Sequence, residues 1–360
     1  MNERLRFLIA GTSKRSDYLY APLLRHLSSE VELVGVWGRS KDKAKAFGEK
    51  NKIPWFTDFE RAHDETNPDA TIVCVDYAAN GEVGRRVVED IGLHALLETP
   101  IAHSLSDADA IIWASNEKNL KIEVAEQYFR RPIERIKSAL IQSGVFGRVL
   151  TAYNDFMGHG YHGVSLIRSY MGYDVPVYAV SGLQAQFSTE PSYAWISKTY
   201  SSREENWEHA VLHFTDGRLG FYNWSTLAYD SPLRWLRSTK FFAEKGMAVG
   251  EQLTLLTPDG KDPLPIQIER RYHNVGGMET LSEIIAHTHP EISWTNPFRE
   301  YYMDDEMIAV ADCLMSLVNA IREDKPPEYG PQQARIDQSI TLAISQSAQV
   351  NGALVAISEI

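Results

Sequence analysis

A doubly wound α/β domain followed by an α+β domain is the fold class that this sequence predicts, and three observations predict it. Apolar, β-branched runs alternate with helical patterns through the first 125 residues. Runs of that kind, unbroken by polar residues, are strands buried on both faces of a parallel sheet. Gly11 directly follows the first run, where a sheet of this class turns into its first helix. Beyond residue 125 the alternation gives way to strand pairs joined by turn signals such as Thr215-Asp216-Gly217, and hairpins imply an antiparallel or mixed sheet. The division expected is therefore 1–125 for the doubly wound domain and 126–360 for an α+β domain with a large open, mostly antiparallel sheet and flanking helices.

The elements follow in order. Arg6–Ala10 is the first strand, and Leu19–Leu27 a helix with Leu19, Leu23, Leu24 and Leu27 on one side. Glu32–Trp37 is the second strand, Asp42–Asn51 a helix, and Ala70–Val75 the third strand. Glu82–Asp90, Ser106–Lys118 and Arg131–Ser143 read as helices; His94–Leu97 and Leu120–Ala125 read as strands. Pro132 stands in the first turn of the Arg131–Ser143 helix and Gly144 ends it. Val149–Phe156, His209–Phe214, Arg218–Trp224 and Gln252–Leu256 are strand-like. A late helix carries Met307, Ala311, Leu314, Val318 and Ile321, with Asp304, Asp305 and Glu306 at its positive end, and a last helix runs from about Gln332 to Asn351. An open sheet exposes an apolar face unless something covers it, so a homo-oligomer, a dimer or tetramer through the C-terminal sheet, is expected.

Composition narrows the class. The 360 residues are 44% hydrophobic and carry a formal charge of −12. That balance argues against nucleic acid or an anionic membrane as partner. The apolar stretch near the N-terminus is too short for a secretory signal, and no apolar run reaches about 18 residues. Cys74 and Cys313 make no disulfide framework, so a reducing, cytoplasmic setting is expected.

The candidate site begins at "FLIAGTSKRS", Phe7–Ser16. In a doubly wound sheet the turn after the first strand meets a pyrophosphate with backbone N–H groups and a helix N-terminus. Gly11 gives the tight turn, but the second glycine of such turns is replaced by Ser13 and the third by Ser16. Thr12, Lys14 and Arg15 add a hydroxyl and positive charge. The same residues would also make an ordinary strand-to-helix turn. After the second strand an NAD-preferring site places an acid for the ribose 2′-hydroxyl; here stand Gly38, Arg39 and Ser40, followed by Lys41 and Lys43. A guanidinium and a hydroxyl suit a 2′-phosphate, which favours NADP over NAD. The alternative for Arg39 is a solvated surface charge. Glu98 ends the fourth strand beside Thr99 and Pro100, where it can accept from a ribose, and Tyr77 and Asn80 complete the candidate cofactor set.

The order of these features resembles the Gfo/Idh/MocA family, named for glucose-fructose oxidoreductase and inositol dehydrogenase. "DATIVCV" matches its third strand, "GLHALLETPIA" the segment ending in its Glu-Lys-Pro motif, and "EQYFRRPIERIKSALIQSGVFGRV" its passage into the second domain. "HAVLHFTDGRLGFYNWS" is similar to its sheet hairpin and "DDEMIAVADCLMSLVNAI" to its late helix. The resemblance implies a Rossmann domain, a nicotinamide cofactor, and oxidation or reduction of a CH–OH group on a sugar, inositol or related polyol. The motif lysine, however, is Thr99 here, which does not titrate near neutral pH. Gly81 stands where the family often has a histidine, and Gly158 and Ser165 where it often has acids.

His162 matches the family's histidine early in the second domain, and with an unperturbed pKa near neutrality it is the leading candidate base. Tyr161 and Thr99 complete the catalytic candidates, and Tyr128 and His159 join His162 as candidate substrate contacts. The alternative for His162 is a structural histidine. His159-x-x-His162, His287-x-His289 and Glu208-His209 fall short of three convergent ligands, so no metal is expected. Trp195, Trp207, Trp224 and Trp235 are possible walls for a sugar, packing being the ordinary role of an indole. Besides a dehydrogenase with an altered acid–base set, two readings stand: nicotinamide-dependent non-redox sugar chemistry (elimination, epimerisation or glycoside cleavage), and a non-catalytic sugar- or nucleotide-sensing protein.

Overall fold

The computed structural model describes residues 3–357. The chain packs as two compact units. One holds the chain through Arg130 together with Met303–Arg335; the other holds Arg131–Tyr302 and the chain from Ile336 onward. The sequence division at residue 125 puts 303–335 with the second domain, because the periodicity of a helix reveals an apolar face but not what covers it.

In the first unit six strands form one parallel sheet: β1 (Leu5–Ala10), β2 (Val31–Trp37), β3 (Trp55–Phe56), β4 (Ala70–Val73), β5 (His94–Leu97) and β6 (Ile122–Val124), in the order β3-β2-β1-β4-β5-β6. Phe7, Leu8, Ile9 and Ala10 of β1 are fully buried, as a central strand with both faces covered requires. The order reverses between β1 and β4, which opens a crevice at their carboxyl ends. The expected helix Leu19–Leu27 is a π-helical turn, Ser16–Tyr20, running into α1 (Ala21–His26). Next come α2 (Lys41–Asn51), α3 (Phe59–Thr66), α4 (Asn80–Arg85) and α5 (Leu105–Glu117). Ser40, Asp58 and Ser104 cap α2, α3 and α5 by accepting the N–H three residues on, each such cap contributing about 1 kcal/mol.

The late helix, Asp305–Arg322, packs on β5 and β6 and buries Val310, Leu314 and Leu317 completely. Polar groups lock it there. The fully buried Arg130 donates to Glu123 at 2.5 Å and pairs with Glu328 at 3.1 Å. The other Glu123 oxygen accepts from Ser316 at 2.6 Å. Burial pushes the Glu123 carboxyl up to about 7 against the pull of Arg130.

The second unit opens with α6 (Pro132–Gln142), β7 (Val149–Asp155) and α7 (Gly160–Met171). Nine strands make its main sheet: β7 with β8 (Val177–Ser188), β11 (Glu204–Phe214), β12 (Leu219–Ser225), β13 (Ser238–Ala243), β14 (Gly246–Val249), β15 (Gln252–Leu256), β16 (Pro263–Ile266) and β20 (Val355–Ala356). All pairings but the parallel β7–β12 are antiparallel. The expected turn at Thr215-Asp216-Gly217 joins β11 to β12, with Gly217 at φ +86°. A short hairpin, β9 (Ser192–Ala194) with β10 (Thr199–Ser201), and a separate sheet of β17 (Ile268–Val275), β18 (Met278–Ala286) and β19 (Ile292–Thr295) complete the strands. The remaining helices are α8 (Thr226–Tyr229), the α9 just described (Asp305–Arg322) and α10 (Pro331–Gln349).

One face of the main sheet is covered at close range. A Cβ on Gly220 would stand 2.5 Å from Ile167 of α7, and one on Gly182 would stand 2.8 Å from the Ile344 carbonyl of α10. On the other face Tyr153 stacks on Phe221 with ring centres 4.6 Å apart, and Phe242, Leu183 and Phe187 are exposed.

Beneath the covered face lies a buried polar cluster. Lys137 Nζ sits 3.0 Å from Glu134 and 2.9 Å from the Thr239 hydroxyl, and the Tyr170 hydroxyl donates to the second Glu134 oxygen. Lys137→Ala should destabilise the second unit by about 3–5 kcal/mol, because it strands a buried carboxylate. Urea denaturation followed by tryptophan fluorescence checks this; a loss under about 1 kcal/mol would mean the carboxylate reaches water.

Candidate functional site

The crevice at the β1/β4 reversal is a cleft of about 580 Å³, ample for half of a dinucleotide. It is lined by Gly11, Thr12 and Ser13 after β1, by Trp37 to Ser40 and Lys43 around the end of β2, and by Cys74 to Tyr77 after β4. Gly11 has φ +123°, and a Cβ there would meet the Cys74 carbonyl oxygen at 2.1 Å. No other residue fits that position.

Ser13 turns its side chain inward. Its Oγ accepts the Ser16 N–H at 3.0 Å and lies 3.0 Å from Ser16 Oγ and 3.2 Å from Cys74 Sγ. The hydroxyl therefore caps the start of the helix. Burial pushes the Cys74 thiol up to about 11, so it is an unreactive neighbour of the cleft.

The basic residues divide between two settings. Arg15 is tied to Glu98 by a charge-assisted bond and reaches Glu306 at 3.4 Å. Tyr20, fully buried, donates to the same Glu98 oxygen at 2.6 Å. The Glu98 backbone carbonyl accepts from Asn80 at 2.7 Å, and the Thr99–Pro100 peptide is cis. Arg15, Glu98 and Asn80 thus form one internal network of the first unit, and none of the three lines the cleft. Arg39, Ser40 and Lys43 do line it. Among the described residues neither Arg39 nor Lys43 has a carboxylate within salt-bridge distance. Lys14 lines an adjoining hollow of about 440 Å³ with Lys43 and Lys50. Tyr77 is half exposed, edge-on to His103 at 4.9 Å.

Two family positions have a packing explanation. A Cβ on Gly81 would stand 3.0 Å from Ala102 and 3.1 Å from Asp107, so a side chain there would require α4 or its neighbours to give by a few tenths of an ångström. A Cβ on Gly158 would meet His162 Cβ at 2.8 Å, which leaves no room for an acid. Ser165 is buried, with its hydroxyl 2.9 Å from that of Tyr173. Thr99 is half-buried, and Tyr128 is buried in the first unit, its N–H donating to Glu126 at 3.0 Å.

In the second unit His159 precedes α7 as its N-cap residue, and His162 lies in the first turn. Asn154 fixes this approach: it takes the Gly158 N–H and donates to the Gly158 carbonyl, each at 2.9 Å. Gly160, at φ +44°, donates to the Tyr222 hydroxyl at 2.7 Å. The His159 and His162 rings are 4.9 Å apart, and Tyr161 stands 4.5 Å from His162. His159 is further enclosed by Trp224 at 5.5 Å and Tyr229 at 5.8 Å. Burial, with His162 and Arg237 nearby, pushes His159 down to about 3. Among the described residues no group of three or more His, Cys, Asp or Glu converges on a metal position, and no helix is long and apolar enough to cross a membrane.

The His159 shift has a definite sign. Its folded pKa lies below the unfolded value, so between pH 6.5 and about 3 the unfolded chain binds the extra proton. Stability from this residue is complete above pH 6.5 and falls as pH falls through that window. His159→Gln should flatten the stability loss between pH 7.5 and 5 in urea melts; an unchanged slope would show that the imidazole takes its proton in the folded state.

Comparison with known proteins places this geometry. Residues 5–126 match the model of a family described as an oxidoreductase family with an NAD-binding Rossmann fold. An oxidoreductase from Agrobacterium radiobacter, solved with NAD+, L-tartaric acid and magnesium, superposes with a TM-score of 0.72 at 14% identity, covering 99% of both chains. The WlbA dehydrogenase from Bordetella pertussis, solved with NADH and UDP-GlcNAcA, gives 0.67 at 18% identity, covering 98% of this chain and 99% of its own. UDP-N-acetylglucosamine 3-dehydrogenase GnnA from Acidithiobacillus ferrooxidans gives 0.67 at 14% identity, covering 97% and 99%. At these identities the neighbours establish a shared fold along the whole chain. Residues 5–126, the segment that builds the cleft described above, thus match the Gfo/Idh/MocA family of oxidoreductases with an NAD-binding Rossmann fold.

Proposed function

We propose that this protein is an NADP-preferring dehydrogenase acting on a CH–OH group of a sugar, inositol or related polyol. One observation carries the cofactor preference. At the end of β2, Arg39, Ser40 and Lys43 line the cleft where an NAD site needs an acid. Two unpaired cations beside a capped helix start suit a 2′-phosphate dianion. The close approach at Gly11 leaves open the turn on which the pyrophosphate rests. Thr12, Ser13 and Lys14 border that turn, Tyr77 flanks the cleft from β4, and the Arg15–Glu98–Asn80 network holds the segment behind it. A bound nicotinamide supplies the hydride acceptor or donor.

The chain's own task is then proton transfer and orientation. His162 serves as the base for the substrate hydroxyl, with Tyr161 as hydrogen-bond donor. His159 remains a neutral imidazole at working pH and orients substrate without titrating. Thr99 contributes a hydroxyl, and Tyr128 a phenol. The sugar derivatives named for two structural neighbours support a carbohydrate substrate. The exposed aromatic face of the main sheet supports a homo-oligomer, a dimer or tetramer. Sedimentation should give twice or four times 40.7 kDa, and a monomer at micromolar concentration would refute it. The two buried free cysteines suit a reducing, cytoplasmic setting.

The loss of a titratable group at Thr99, Gly81 and Gly158 favours one rival, a non-catalytic sensing protein. Titration with NADPH and NADH decides first. NADPH should bind more tightly, and Arg39→Ala should weaken NADPH on the order of tenfold while leaving NADH nearly unchanged. A sugar screen follows, with His162→Ala as the control expected to lose turnover on the order of a hundredfold or more. Folded, cofactor-free protein that binds neither nucleotide would hand the reading to the sensing protein.

A further inference from the structure

The covered face of the main sheet runs on past the helices that cover it. On β8 and β11 the inward pairs are first apolar, Val180 with Leu212 and Gly182 with Ala210. From there outward they are polar: Gln184 with Glu208, Gln186 with Asn206 and Ser188 with Glu204. Residues opposite each other in a ladder, and residues two apart along a strand, share one face. The polar pairs therefore continue the face on which α7 and α10 lie.

Each polar pair is closed by a side-chain hydrogen bond. Gln184 donates to Glu208 at 3.0 Å, Gln186 to Asn206 at 2.9 Å and Ser188 to Glu204 at 2.6 Å. A hollow of about 370 Å³ lies among the first two pairs, with Ala185 and Trp207 between them. Its three amides are exposed and held in direction by their partners, so little freedom is lost when a ligand meets them. An amide bonded at one atom still has a donor or an acceptor to give.

The hollow adjoins the histidines. Glu208 stands opposite Trp224 in the β11–β12 ladder, and the Trp224 ring is 5.5 Å from that of His159. The second Glu208 oxygen accepts from the Tyr222 hydroxyl at 3.0 Å, the same hydroxyl that takes the Gly160 N–H at the start of α7. Successive pairs lie about 7 Å apart along the strands, a spacing that admits one pyranose ring. The lining holds one carboxylate, three amides and no cation. It repels phosphate and suits a neutral group rich in hydroxyls, which donate to the carboxylate and both give to and take from the amides.

We propose that Gln184, Gln186, Asn206 and Glu208 form a subsite for a second, neutral sugar ring, so that the substrate is a glycoside and not a free monosaccharide or inositol. The reacting ring sits at His162, and its glycosidic partner extends along β8 and β11. The assignment rests on the carbohydrate reading of the histidine site. A free polyol has nothing to place on the Gln186–Asn206 pair, and a phosphorylated sugar would set its anion against Glu208.

The test is calorimetric titration of the full-length protein, with NADP+ present, using glucose, galactose, maltose, cellobiose, lactose and glucose 1-phosphate. At least one disaccharide should bind at least tenfold more tightly than its parent monosaccharide, and glucose 1-phosphate should gain nothing over glucose. Gln186→Ala and Asn206→Ala should each lower that ratio fivefold or more. Circular dichroism confirms that each variant is folded. Disaccharides that bind no better than monosaccharides would overturn the subsite and leave the carbohydrate reading standing, and so would a ratio unchanged in both folded variants. Glucose 1-phosphate binding more tightly than every disaccharide would also overturn it, by assigning the hollow to an anion. Binding of none of the six would remove the carbohydrate reading and the subsite together.

Discussion

The cleft of the first unit depends on one close approach, that of the Gly11 backbone to the carbonyl of Cys74. The Cys74 N–H bonds to Ala10 at 2.9 Å, the last rung that ties the two chains together. Beyond it the chain turns away in a conformation with φ +123° that only glycine adopts freely. Ser13 and Ser16 then fill the space behind the turn with hydroxyls bonded to each other and to Cys74. Where other dinucleotide turns use the absence of side chains, this one folds its side chains back into the protein. The face presented to a ligand is still backbone and helix start.

The second unit works under a different constraint, burial of imidazole. His159 is enclosed by four rings, and burial, with His162 and Arg237 nearby, disfavours its protonated form. At Gly158, where the family resemblance implies an acid four residues before His162, a Cβ would stand 2.8 Å from His162 Cβ, because α7 begins directly against it. The glycine at position 158 thus has a packing reason.

What the sequence made legible depends on which physical signal each element carries. β1, β2, β4 and β5 stand out because strands buried on both faces are apolar without interruption. β3, two residues long, and the charged, half-exposed β17–β19 sheet carry no such signal. Gly11, Arg39 and Ser40 were readable as cleft residues from their distance to strand ends. That Arg15 turns to Glu98 and Glu306 was not, since Glu306 lies 291 positions away. The Gln184–Glu208 and Gln186–Asn206 pairs were equally hidden, because the register of β8 on β11 brings them together.

The return of residues 303–335 to the first unit has a consequence for biosynthesis. The sheet is complete at β6, yet β5 and β6 lack the apolar cover of α9 until some 180 further residues have been made. Arg130 and Glu123 are buried partners that also wait for Ser316 and Glu328. At a translation rate of about 5–20 residues per second, that interval is on the order of ten to forty seconds. Through it the nascent nucleotide-binding half exposes an apolar flank and an unfinished ion-pair network, an opening for chaperone capture that a contiguous domain would not present.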